Sequence, residues 1–247
     1  MKNLQSLKTY REDNSGFTIV ELMIALSVLA VLLVTTTTIL IQIGALYSKG
    51  VNAADLQNAT RNVVADISGQ LQFSGKVPLG CTSTATTCYA NTNDYLNTTD
   101  NTTETVYTYC ISNTRYSYVL NRELGTDSNT NPQQITAHVL WRDTLTTDAS
   151  TCPVPDIVNG THLNDSPSKG DGYEMLGNHM RLTRFKIEQT PPGSGSGIYN
   201  TDVWTAFGDS DLVQTDPATG SSTCKGGAGT QFCSTSAIST QLTGRIY

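Results

Sequence analysis

From Phe17 to Gly44 the chain reads FTIVELMIALSVLAVLLVTTTTILIQIG, 28 residues with a single charged side chain, Glu21. A run this long and apolar spans a bilayer as a helix. A carboxylate at its mouth is costly in lipid or in a packed helical bundle unless a cation answers it. Cutting the Gly16–Phe17 bond supplies one. The new α-amine of Phe17 is cationic, and Glu21 lies one helical turn below it. The amine of an adjacent, identically oriented subunit can serve as the partner.

Residues 1–16 are polar and carry Lys2, Lys8 and Arg11 against Glu12 and Asp13. A secretory signal peptide has its apolar region before the cut. Here the apolar run comes after the proposed cut, so it is retained. The basic residues ahead of it place the leader in the cytoplasm and the bulk of the chain outside.

Residues Ser15–Leu40, with Gly16, Phe17, Thr18 and Glu21 at their head, resemble the class III signal peptide of type IV pilins and type II secretion pseudopilins. The resemblance implies cleavage between Gly16 and Phe17, N-methylation of Phe17 by a prepilin peptidase, and assembly into a helical filament with Glu21 as the assembly glutamate. The implied partners are the prepilin peptidase, other pilin subunits, an inner-membrane assembly platform, and membrane lipid before assembly. The motif covers only the first part of the chain. The rival reading of the same residues is an ordinary signal anchor that happens to carry a glutamate.

The net charge is −6, and removing the leader makes the remainder more acidic. An acidic surface repels phosphate backbones, so general nucleic-acid binding is not expected. Six cysteines, Cys81, Cys88, Cys110, Cys152, Cys224 and Cys233, all lie in the exported part. An even number in an extracytoplasmic domain points to disulfides, but six cysteines allow many pairings. Short separations favour Cys81–Cys88 and Cys224–Cys233, which leaves Cys110–Cys152. Zinc is the rival reading, yet no CxxC pair or clustered histidines support it.

Residues 17 to about 75 read as one long helix. Beyond Tyr47 the pattern is amphipathic, with Leu56, Ala59, Val63, Ile67 and Leu71 at spacings of three and four. Asp55, Arg61, Asp66 and Gln70 fall between them. Gly75 and Pro78 form a stop. Thr35–Thr38 and Gly44 are weak points of the apolar half. Pilins often carry a helix-breaking proline there, and this chain has none. Local unwinding at Thr35–Gly44 on assembly is one expectation, and a regular polar turn is the other.

The Thr-, Asn- and Ser-rich residues 80–104 read as an exposed loop. Thr105–Ser112 and Arg115–Leu124 read as a hairpin turning at Asn113-Thr114. Ile135–Trp141, Met180–Gln189 and Tyr199–Phe207 read as further strands, with Met180, Leu182, Phe185 and Ile187 facing inward. Pro191–Gly197 is a turn. Cys224–Cys233, with its glycines, looks like a closed loop of the kind pilins carry near the C-terminus. Ser236–Tyr247 adds a candidate edge strand. The fold class is therefore α+β: a long N-terminal helix packed on an antiparallel head with long loops. The expected domains are a leader over 1–16, a membrane or filament-core helix over 17–45, and an extracytoplasmic head over 46–247.

No constellation of catalytic residues emerges. His138, His162 and His179 have no ligand-like spacing, and no GxSxG occurs, so no enzymatic activity and no cofactor are expected. Asn164-Asp165, Gly170-Asp171-Gly172 and Asp209-Ser210-Asp211 offer oxygen ligands of the calcium kind, and some pseudopilins bind calcium. None matches an EF-hand, and solvated turns are the preferred reading, so no metal is expected. Sequons at Asn58, Asn97, Asn101, Asn159 and Asn164 are what an Asn/Thr-rich chain produces by chance. Tyr89 and Tyr95 read as exposed aromatics.

The expected function is that of a structural subunit, a minor pilin of a type IV pilus used for adhesion, motility or DNA uptake. It is held in the membrane by one span before assembly and displayed on the surface afterwards. The alternatives are a pseudopilin of a secretion-like machine and a membrane-anchored binding protein that never polymerises.

Overall fold

The computed structural model describes residues 16–74, 78, 91–96, 103–123, 138–145, 152–155, 172–191, 197–227 and 229–244. The chain divides into two compact units, one ending at Ala45 and the other beginning at Leu46. A single helix, α1 (Ile19–Phe73), runs through the boundary.

In the first unit, residues 16–44 are all exposed, including Phe17, Leu22, Leu29, Leu33 and Ile41. A helix apolar on every side is built for lipid or for a bundle of its own kind. Thr35–Thr38 do not interrupt it. Thr35 and Thr36 Oγ1 donate to Leu32 O at 2.9 Å, Thr37 to Leu33 O at 2.7 Å, and Thr38 to Val34 O at 2.9 Å. Each hydroxyl is thereby satisfied without water.

In the second unit the same helix turns one stripe inward. Leu56, Thr60, Val63, Ile67 and Leu71 are buried. Four of the five expected stripe residues are among them. Ala59 is only half-buried, and Thr60 takes its place. Thr60 Oγ1 bonds Leu56 O and Thr205 Oγ1, both at 2.7 Å, so the hydroxyl is paired on both sides.

Two sheets receive the stripe, where a single sheet was expected. The first has five antiparallel strands in sequence order: β1 (Asn91–Leu96), β2 (Thr103–Ile111), β3 (Thr114–Val119), β4 (Leu140–Thr144) and β5 (Tyr173–Glu174). The second is formed by β6 (Met180–Gln189), β7 (Ile198–Phe207) and a later strand, β10 (Ser234–Thr243), in the order β10-β7-β6. Between β7 and β10, β8 (Val213–Thr215) and β9 (Ser222–Cys224) form a small hairpin. The core brings helix residues together with Tyr109, Tyr116, Leu140, Leu182, Phe185, Tyr199, Val203 and Leu242.

Several local expectations shift. Asn91–Leu96 is a strand, although its composition reads as loop. It lies at the edge with mostly exposed side chains and joins the sheet chiefly through its backbone pairing with β2. Tyr95 is half-buried against the Val106–Val119–Trp141 cluster and is not a free surface aromatic. The hairpin turns at Ser112-Asn113, one residue earlier than expected, with Ser112 at φ 54°. The strand expected over Ile135–Trp141 is β4, Leu140–Thr144, and residues 135–137 lie outside the described residues. The edge strand begins at Ser234 and ends at Thr243.

β6 shows how the inward set is arranged. Met180 and Leu182 are buried, then Phe185 and Ile187, so the parity changes between them. The register shifts at this point: Leu182 faces Thr205 while Arg184 faces Trp204, and Thr183 is the extra residue. A bulge inserts one residue, and so Phe185 and Ile187 share the buried face of Met180 and Leu182 despite the change of parity.

Polar contacts fix the helix on the first sheet. Asp66 Oδ2 accepts from Tyr116 Oη at 2.5 Å and from Arg142 Nε at 2.9 Å. Burial, reinforced by the Asp66 carboxylate, pushes the Tyr116 hydroxyl well above its ordinary range, which keeps it a donor. On β3, the buried Arg115 guanidinium meets Asp143 through Nε–Oδ1 at 2.9 Å and Nη2–Oδ2 at 2.5 Å. Its Nη1 donates to Pro153 O at 2.8 Å, beside Cys152. Disulfides join Cys110 to Cys152 and Cys224 to Cys233, with Cα separations of 5.9 and 5.7 Å. Cys81 and Cys88 lie outside the described residues.

Ile67→Ala removes a fully buried side chain from the helix–sheet seam. It should lower the unfolding free energy by about 2–5 kcal/mol in urea titrations. A cost near zero would mean the seam does not hold the head. A second expectation concerns alkaline pH. A tyrosine whose folded pKa is raised contributes stability that is intact below the unfolded value of about 10 and lost as pH climbs above it. Tyr116→Phe should flatten the decline in stability between about pH 9 and 11. An unchanged slope would remove Tyr116 from that role.

Candidate functional site

The N-terminal segment is built by a helix cap. Thr18 is the last residue before α1, and Glu21 is the third residue within it. Glu21 Oε2 accepts from Thr18 N and from Thr18 Oγ1, both at 2.9 Å. In return, Glu21 N donates to Thr18 Oγ1 at 3.2 Å. This is a reciprocal capping box, which satisfies donors that the first helical turn leaves free. The acidic side chain also sits at the positive end of the helix dipole.

The cap has a chemical consequence upstream. It stops the helix at Ile19, so Gly16 and Phe17 are non-helical. Phe17 is 84% exposed, and nothing lies within 4 Å of where a Cβ on Gly16 would stand. The bond between them therefore lies outside the helix, with both residues exposed. Sequence reasoning placed Gly16, Phe17 and Glu21 together, and the structure does group them at one helix end. It missed the cap itself, although Thr18-Ile19-Val20-Glu21 spells the capping-box pattern. One carboxylate oxygen, Oε2, makes the cap. The other, Oε1, bonds none of the described residues.

Residues 12–37 match the prokaryotic N-terminal methylation motif. The match supports a type IV pilin-like protein, and it implies a prepilin peptidase substrate that assembles with other pilins. It covers the residues just before Phe17 and much of the apolar run, and nothing of the second unit. α1 is long and apolar enough to cross a membrane, which fits a membrane-anchored protein. No curated protein and no solved structure matches the chain.

The remaining candidates separate. His138 is buried, with Nδ1 3.3 Å from Glu174 Oε2 and its ring edge-on to Trp141. The Glu174 carboxylate accepts Val139 N and Leu140 N at 2.9 Å, so this group fastens β5 to β4. His162, Asn164-Asp165 and Gly170-Asp171 lie outside the described residues, as do Asn97, Asn101, Asn159 and Tyr89. Gly172 packs tightly against Trp141, and Asn58 is exposed on α1. Asp209 begins a turn in which its carbonyl accepts Leu212 N at 3.0 Å. Its side chain meets His179.

Thr18→Ala deletes the cap's hydroxyl and should cost the first turn about 1 kcal/mol. Read by amide hydrogen exchange in detergent micelles, that is about a fivefold loss of protection at Glu21. Unaltered protection would show that the turn holds without the hydroxyl.

Proposed function

We propose that this chain is a minor pilin, a structural subunit of a type IV pilus serving adhesion, motility or DNA uptake. The observation that carries the reading is the matched methylation segment on a helix whose first unit is apolar on every side. Cleavage at Gly16–Phe17 frees the Phe17 amine, which is methylated. The apolar segments of neighbouring subunits then bury one another. Glu21, already oriented by Thr18, offers its second oxygen to the Phe17 amine of the next subunit. In the low dielectric of a helical core such a pair holds only with good geometry, so it also sets the axial register between subunits. The large, loop-bearing head favours a minor position, because bulky heads pack less easily at every site of a fibre. The acidic composition favours a protein or surface partner over general nucleic-acid contact. No enzymatic step is assigned to the chain.

The test separates charge from capping. Glu21→Gln keeps a side chain that can complete the capping box but removes the charge. Both Glu21→Gln and Glu21→Ala should be cleaved normally, yet fall at least tenfold in sheared surface fibres on immunoblots. Normal incorporation of the Gln variant would overturn the ion-pair role. A deletion strain that retains its fibres but traps secreted proteins would instead identify a pseudopilin.

A further inference from the structure

Three side chains distant in sequence converge beyond the edge of β6. Glu123 forms an isolated bridge with Arg181, His179 immediately precedes β6, and Asp209 lies just after β7. His179 is held in the left-handed region at φ 60°, with its carbonyl accepting Gly208 N at 2.9 Å. Its Nδ1 lies 3.0 Å from Glu123 Oε1 and 3.3 Å from Asp209 Oδ1. The ligand-capable atoms of the three residues all fall within 4.8 Å of one another.

We propose that Glu123, His179 and Asp209 form a binding site for a divalent metal ion of the zinc class. A neutral imidazole has one N–H, which two carboxylates here would have to share. An ion in place of that proton serves all three groups at once. Metal bonds of about 2.0–2.2 Å set neighbouring ligands about 3.0–3.5 Å apart, close to the separations His179 already keeps. The donor set selects the ion. One imidazole with two carboxylates suits zinc and its neighbours, whereas calcium takes oxygen ligands. Arg181 supplies the outer support. Its Nη2 donates to Glu123 Oε2 at 3.0 Å and to Gly208 O at 2.6 Å, which aims Oε1 at the site. Its charge makes the site weaker than a closed four-ligand structural centre. The side chains are 43%, 23% and 65% exposed for His179, Glu123 and Asp209, so water can complete the coordination. Met180 pairs with Phe207, so His179 and Asp209 flank the same end of the β6–β7 ladder, and an ion here ties that end to the segment just after β3. The sequence conceals this, because 56 residues separate Glu123 from His179.

The test is calorimetry on the full-length chain in detergent, stripped of metal and titrated with zinc chloride, with calcium chloride in parallel. One zinc per chain should bind, and zinc should raise the melting temperature. His179→Asn preserves a residue type that tolerates the left-handed backbone, and Asp209→Asn changes an exposed carboxylate. Each should weaken zinc binding at least about tenfold, while melting without metal stays close to that of the unsubstituted chain. Absence of zinc binding, binding that survives both substitutions, or equal affinity for calcium would each overturn the site.

Discussion

One constraint governs this molecule: residues 17–44 present apolar side chains in every direction and bury none of them within the chain. Such a surface is unstable in water. At about 25 cal/mol per Å² of apolar area, a few exposed leucines already represent several kcal/mol. The segment must therefore lie in lipid or against other helices of its kind. Under the proposed assembly, Glu21 is the exception that makes the second environment specific. Lipid gives a carboxylate no partner, whereas a neighbouring subunit with a free amine does.

The capping box gives Glu21 two tasks that do not compete. One oxygen completes the first helical turn, and the other bonds none of the described residues. The same cap keeps the Gly16–Phe17 bond outside the helix. In the proposed function, processing and assembly therefore draw on one local structure: a threonine and a glutamate three residues apart. The head answers a different problem. Its half of the helix has a single apolar stripe, and two sheets cover it. Polar contacts at Thr60–Thr205 and at Asp66 with Tyr116 and Arg142 fix its position. The buried Arg115–Asp143 pair and the Cys110–Cys152 disulfide fasten the segment around Pro153 to the same sheet.

Much of this was legible in the sequence wherever one strong period ruled. The apolar run, the stripe from Leu56 to Leu71 and the alternation in Met180–Gln189 each report burial directly. Edge strands were harder. Asn91–Leu96 pairs through its backbone while all its side chains but Tyr95 are exposed, so composition carried little signal. The Thr183 bulge accounts for the one break in the Met180–Gln189 alternation, since it lets Phe185 and Ile187 share the buried face of Met180 and Leu182. The division into two sheets depends on pairings distant in sequence, and so does the meeting of Glu123 with His179 and Asp209. No local pattern encodes either. Thr18 is different: its capping pattern is visible in the sequence, masked by the apolar run that surrounds it.

The most direct test of the account is mass spectrometry of sheared surface filaments, searching for the peptide that begins at Phe17. The account predicts a methylated Phe17 terminus in the fibre fraction, at lower abundance than the principal pilin. A chain found only with its Gly16–Phe17 bond intact would contradict it.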